Sequence, residues 1–385
     1  MRPALAPLIR HTLLMAFAAV MLLRTGPDAL AALADLATAP LETSTASLVK
    51  PNILFVLDDS GSMDRTYLPD WATSSDLSSY LTVASGCSSK SSSSCETAAT
   101  KAAKLMANSR VNGLAYDPAI TYTPPKTYSG SSYSTMSSAN TSAWKSVPDD
   151  GYQVQATSNS SLATSTLTYY TFVAGEYCTA PNLRTCATLS AASATYPYPA
   201  YLRWCTTSAL STCQASRIET APSNGSTYLY PRYPGALTSA QATVPGSVVT
   251  TTLSSSTSTY AYPGATTRAS TRTDCVSNTT TCTYAEEMTN YANWWAYYRT
   301  RMQMMKTAMS LALNDLGDTY RLGYLSINNN TSSDFLDMAD LTTTSGGQKS
   351  KFYAKLFAAK PSSSTPLRSA LSTAGRYYAG KLSTV

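Results

Sequence analysis

The chain has a single histidine, His11, and it lies at the extreme N-terminus. If that end is removed on export, the mature protein holds no Ser-His or Cys-His nucleophilic pair and no histidine-ligated metal. Charge is scarce too: Asp, Glu, Lys and Arg together make up 13% of 385 residues. No basic block and no arginine–aromatic interleaving occurs, so nothing supports nucleic acid as a partner. The main apolar run, Leu13 to Leu23, is too short to cross a bilayer core of roughly 30 Å as a helix, and there is no second candidate span. The mature chain is therefore expected to have no membrane span. C-x-x-C spacings are absent, which argues against a thiolate metal site. Phenylalanine is rare, with 6 residues against 27 tyrosines.

What is present begins with an export signal. Arg2, Arg10 and His11 precede Leu13 to Leu23, and the small-residue triplets Ala29-Leu30-Ala31 and Ala32-Leu33-Ala34 follow, the layout of a secretory signal peptide over residues 1–31. Removing it takes three arginines and one aspartate from 28 basic and 22 acidic residues, leaving 25 against 21, a weak positive charge.

Eight cysteines form four close pairs: Cys87 and Cys95, Cys178 and Cys186, Cys205 and Cys213, Cys275 and Cys282. Eight cysteines allow 105 pairings on paper, but closing a short loop costs the least chain entropy. In an oxidising compartment the expectation is four local disulfides.

Composition divides the chain into three. Residues 32–50 read as an extended lead-in to a strand at Asn52 to Leu57. Residues 65–283 are rich in Ser, Thr and Tyr and contain every cysteine. That segment has one helical stretch, near Cys95 to Asn108, and runs such as TSTLTYYTFV and SVVTTTLSSSTSTYAY that favour short strands. After Thr283 the pattern turns helical. Thr283 and Glu286 form a capping box, and Met288, Tyr291, Trp295, Tyr298, Met302, Met305, Met309 and Leu313 fall on one stripe of a long helix stopped near Gly317. Tyr320 to Asn328 and Asp334 to Leu341 read as strands, and Gln348 to Ala359 as a helix. Thr365-Pro366 reads as a helix start, Thr365 as N-cap with proline at the first helical position, running to about Lys381.

Without residues 65–283, the order is strand, helix, strand, strand, helix, helix. This predicts an α/β fold with a mostly parallel sheet wrapped by helices and interrupted by a large, disulfide-rich, β-rich insertion. NILFVL is apolar on both faces, as a buried central strand would be. In such sheets ligands bind beyond the carboxyl ends of the strands, and there the sequence places DDSGSMD. Asp58, Ser60 and Ser62 are spaced by two, and Gly61 permits the tight turn that would aim them at one point. Their oxygens suit a hard divalent cation, Mg²⁺ foremost, with Mn²⁺ or Ca²⁺ as alternatives. An incomplete shell would leave coordination positions free. Asp59 and Asp64 read as solvated loop acids.

The segment VLDDSGSM resembles the first motif of von Willebrand factor A domains, whose adhesion site uses D-x-S-x-S, a distant Thr and a later Asp. KPNILFVLDDSGSMD, NYANWWAYYRTRMQMMKTA, YRLGYLSIN and STPLRSALSTAGRYYAG resemble, in order, the type IV pilus tip-associated PilY-type adhesins. The resemblance covers residues 40–64 and 284–385. It implies a Rossmann-like von Willebrand factor A domain split over 32–64 and 284–385. It also implies that Ser60 and Ser62 bind the ion directly, and that Asp58 and Thr365 do so directly or through water. The third motif, an Asp followed by Gly, has no counterpart before Val385, so the resemblance implies a sheet incomplete on that side.

The function so implied is non-enzymatic: an exported pilus adhesin or biogenesis factor that passes through the periplasm to the pilus tip or cell surface. Its partners would be minor pilins, other pilus components or a host surface ligand whose acidic group completes the ion's shell. Two alternatives remain open. One is a Mg²⁺-dependent haloacid-dehalogenase-like phosphohydrolase with Asp58 as nucleophile, although Ser60 stands where that chemistry needs a second Asp. The other is a scaffold with a vestigial metal site.

Overall fold

A computed structural model describes residues 49–68, 103–172, 175–180, 185–189, 193–196, 198–200, 203–207, 212–213, 230–232, 248–328, 335–362 and 364–382. The expected signal peptide, most of the 32–50 lead-in, Cys87, Cys95 and most of the helix expected before Asn108 lie outside these residues. In chain order the main elements are β1 (Asn52–Leu57), β2 (Leu167–Phe172), β3 (Val248–Leu253), α1 (Tyr284–Tyr297), α2 (Arg301–Ala312), β4 (Arg321–Ser326), β5 (Leu336–Asp340), α3 (Gln348–Ala358) and α4 (Leu367–Tyr378).

The fold is mixed α/β with small sheets and disulfides. β1 pairs in parallel with β4, from Asn52 opposite Arg321 to Leu57 opposite Ser326, and β4 pairs antiparallel with β5. Strand alternation sends Ile53, Phe55, Leu57, Leu322 and Tyr324 to one face, where they pack on α2 and α3 through Met309, Phe352 and Leu356. Leu54, Leu325 and Ile327 go to the other face, against Ala370 and Ala374 of α4. Helices thus cover both faces of the sheet.

β1 departs from the expected buried central strand. Only Leu57 is buried, and Val56 is 38% exposed. The reason is its position: among the described residues β1 has one strand neighbour, so β4 is the central strand and β1 an edge. The mostly parallel sheet expected is, among the described residues, one parallel pairing, β1 with β4, beside one antiparallel pairing, β4 with β5.

The helix expected from Thr283 to Gly317 is two helices. The capping box at Thr283 and Glu286 forms as expected. Burial would raise the Glu286 pKa, but the N–H groups of Thr283 and Ser277 outweigh it and hold the carboxyl at about 2. The chain leaves helical geometry at Tyr298, and a second capping box, Thr300 with Gln303, starts α2. The apolar stripe is divided accordingly. Met288 and Tyr291 join a core shared with the insertion, whereas Met305, Met309 and Leu313 face the sheet.

The insertion segments pack on α1 through an aromatic core that includes Tyr116, Tyr122, Trp144, Tyr169 and Tyr297. Polar residues of α1 anchor insertion backbone: Asn290 accepts the Tyr122 N–H at 2.7 Å, and Asn293 accepts the Met136 N–H at 2.8 Å. The approach is close at Gly151, whose N–H donates to Ala296 O; a Cβ there would strike the Tyr297 ring. The expected strands appear as β2 and β3, paired antiparallel, and as Thr259–Tyr260 against Cys282–Thr283. Cys178–Cys186, Cys205–Cys213 and Cys275–Cys282 are disulfides as expected. Cys87 and Cys95 fall outside the described residues.

No helix among the described residues is long and apolar enough to cross a membrane. The disulfides point to an oxidising compartment, periplasmic or extracellular.

Candidate functional site

β1 ends in the buried Leu57, and the chain then turns sharply. The Asp58 carboxylate accepts the Ser60 N–H at 2.9 Å, which folds the acid back over the loop. Gly61–Asp64 forms one 3₁₀ turn, with Met63 N–H donating to Ser60 O at 2.9 Å and Arg65 N–H to Ser62 O at 3.2 Å. This winding brings the Ser60 and Ser62 hydroxyl oxygens to 3.0 Å from each other. Ser60 is fully buried, and Asp58 and Ser62 are half-buried.

Asp59 corrects the expectation of a solvated acid. It is 3% exposed, because its side chain turns inward and accepts both the backbone N–H and the side-chain amide of Asn328, at 3.0 and 3.1 Å. Its carbonyl accepts the Ser362 N–H at 2.7 Å, and Asn328 also donates to Ser362 O at 3.1 Å. Asp59 therefore ties together the loop after β1, the end of β4 and the approach to α4. Asp64 is exposed, as expected of a loop acid, and is held by the Gln155 side chain of the insertion.

Thr365 follows Ser362 by three residues and so belongs to the segment tied to this loop, but it is exposed. It is not the N-cap expected from the Thr-Pro pair. Pro366 occupies the cap position, α4 begins at Leu367, and no side chain caps it. The reason is local: the Leu367 N–H closes onto Thr365 O at 2.9 Å, which sets the helix start one residue later. The structure thus brings Asp58, Ser60 and Ser62 together, and places Thr365 nearby in chain terms without joining its hydroxyl to theirs.

The separation of the two hydroxyls permits a test of fit. Two cis ligands of an octahedral ion at 2.0–2.1 Å stand about 3 Å apart, and neighbouring equatorial ligands of a pentagonal-bipyramidal Ca²⁺ at 2.3–2.6 Å stand about 2.7–3.1 Å apart. The Ser60–Ser62 separation fits either ion, and it is also that of a hydroxyl–hydroxyl hydrogen bond. Asp58 would supply its second carboxylate oxygen, the first being spent on the Ser60 N–H. Among the described residues no three His, Cys, Asp or Glu side chains converge as a metal-holding group; in this set only Asp58 is of that kind, the others being hydroxyls. A cavity of about 210 Å³ adjoins the loop, lined by Asp59, Tyr324, Ser326, Lys355, Lys360 and Ser362 among others. Its two lysines were not singled out by sequence spacing, since they lie on and just past α3, far from the D-x-S-x-S motif in the chain.

Comparison with protein-family models, with curated proteins and with solved structures finds no match to this chain.

Proposed function

We propose that this is an exported, non-enzymatic binding protein of the pilus-associated adhesin kind, with a von Willebrand factor A-like part split around the insertion. The observation that carries the reading is the hydroxyl pair: Ser60 and Ser62 oxygens 3.0 Å apart, at the carboxyl end of a parallel strand. That is where an α/β sheet presents its ligands. Ser60, Ser62 and Asp58 would hold a divalent cation, Mg²⁺ foremost with Mn²⁺ or Ca²⁺ as alternatives, with Thr365 reaching it directly or through water. The cation would supply a positive centre with open positions for an acidic group of the partner. Minor pilins, other pilus components or a host surface ligand are the partners this reading implies. The three disulfides and the oxidising compartment they imply are consistent with it.

The test is capture of pilus components on immobilised protein in Mg²⁺ and in chelator. Capture that requires Mg²⁺ and is lost in the Ser60→Ala, Ser62→Ala double variant is the expected result. Capture unchanged in chelator would favour the scaffold reading, and Mg²⁺-dependent phosphatase turnover abolished by Asp58→Asn would favour the enzyme.

A further inference from the structure

Among the described residues β1 has a strand on one side only, and its hydrogen bonds show which backbone groups face the other. Pro51 O and Leu57 O accept the N–H groups of Arg321 and Ile327, each at 2.9 Å. In a parallel ladder this turns the backbone groups of Ile53, Phe55 and Leu57 toward β4 and those of Asn52, Leu54 and Val56 outward. On the outer side Asn52 O accepts the Tyr378 hydroxyl at 3.3 Å. The outward N–H and C=O groups of Leu54 and Val56 have no partner among the described residues. NILFVL holds no charge, no proline and no bulge, the devices by which an edge strand resists further pairing.

α4 borders this edge. Its Ala370, Ala374 and Tyr377 pack on the sheet. The next strip round the helix is also apolar, but Leu367, Leu371 and Tyr378 are 57%, 73% and 54% exposed. The Tyr378–Asn52 bond sets that strip on the open side of β1, where Val56 is exposed too. Edge and strip ask for the same occupant, since an added strand brings backbone groups to the first and alternate side chains to the second.

Charge decides whose strand fits. Arg368, Arg376 and Lys381 lie exposed on and just past α4, and no acidic residue follows Asp340. A second copy docked about a two-fold axis would set this basic rim against itself, whereas an acidic partner complements it.

We propose that the open edge of β1 and the Leu367, Leu371 and Tyr378 strip take an extended segment of a partner protein, apolar at alternate positions and flanked by acidic residues, as a strand added beside β1.

The test uses a fluorescein-labelled peptide of alternating valine and threonine with glutamates at both ends, and the same peptide with lysines at both ends, titrated into the purified chain with anisotropy as readout. Chelator is present throughout, so the outcome is separate from that of the cation reading. One saturable site is expected, preferring the acidic probe on the order of tenfold at low salt and less as salt rises. Val56→Pro removes an outward N–H and spares the ladder to β4, so it should abolish binding. If that variant melts early, Leu371→Ser at the exposed strip is the second, with a loss on the order of tenfold. Arg368→Glu with Arg376→Glu should reverse the preference between the probes. No saturable binding, equal affinity for the two probes, or indifference to both Val56→Pro and Leu371→Ser would overturn the proposal. So would a dimer in sedimentation that Val56→Pro dissolves and the acidic probe does not, which would make the occupant a second copy.

Discussion

Arg272→Met probes a buried ion pair between the insertion and α1. Arg272 and Glu287 side chains are each 2% exposed, with Nη1 and Oε2 2.7 Å apart. Arg272 also grips Asp274 through Nε and Nη2, at 2.9 and 3.0 Å, and Nη1 reaches Pro118 O at 3.0 Å. Burial would lower the Arg272 pKa, but the surrounding acidic groups outweigh it and hold it above its usual value. Removing one member of a buried pair leaves a charge without its partner, a loss of about 3–5 kcal/mol. Here Glu287 would keep the Tyr116 and Tyr169 hydroxyls as donors, and Asp274 can turn to solvent, so the lower end, about 3 kcal/mol, applies. Urea unfolding followed by tryptophan fluorescence and far-ultraviolet circular dichroism measures it. Adding Glu287→Met should cost less than the sum of the single changes, with a coupling of about 2 kcal/mol. A loss below about 1 kcal/mol for Arg272→Met, or strict additivity, would show that the pair does not join the insertion to α1 as described.

Further expectations concern other contacts. Lys306 is 1% exposed, its Nζ bonded to Phe357 O and lying over the Tyr152 ring, and burial pulls its pKa down to about 8, with Asp150 opposing. Above pH 8 the folded state sheds this proton while the unfolded state still holds it. Stability should therefore gain on the order of 3 kcal/mol from this group between pH 8 and about 10.5, and comparison with Lys306→Met in pH-dependent melts isolates that slope. Cys275→Ser with Cys282→Ser opens a loop whose cysteines are seven apart, next to the α1 cap, and should cost about 2 kcal/mol, read from denaturant midpoints under non-reducing conditions. Asp59→Ala strips two donors of the half-buried Asn328 of their acceptor. It should cost about 1–3 kcal/mol and loosen the loop, weakening cation affinity as well; unchanged affinity would mean that Asp59 does not position the site.

The legible parts were those governed by near neighbours in the chain. Three disulfides and the hairpins around them follow from seven- and eight-residue separations, and the Thr283 capping box follows from a three-residue spacing. The break between α1 and α2 carried the same signal, Thr300 with Gln303, but the apolar stripe ran through it unbroken and concealed it. Asp59 reads as a solvated acid because its partners, Asn328 and Ser362, are some 270 to 300 residues away. Glu287, Asn290 and Asn293 lie outside the apolar stripe, yet they are buried because the insertion packs on that side. The exposure of β1 was equally hidden, since apolarity on both faces describes what a strand can bury, and strand order decides what it does bury. For the candidate site, the spacing of two between Ser60 and Ser62 accounts for their hydroxyl contact, whereas the Thr365 position depends on how the turn before α4 closes.

The most direct test of the central claim is calorimetric titration of Mg²⁺ and Mn²⁺ into the purified protein, beside the Ser60→Ala, Ser62→Ala double variant. The account expects one cation per chain, Mg²⁺ or Mn²⁺ ahead of Ca²⁺, lost in the double variant while its melt without metal stays close to that of the parent. Equal binding by parent and variant, or no binding by either, would contradict it.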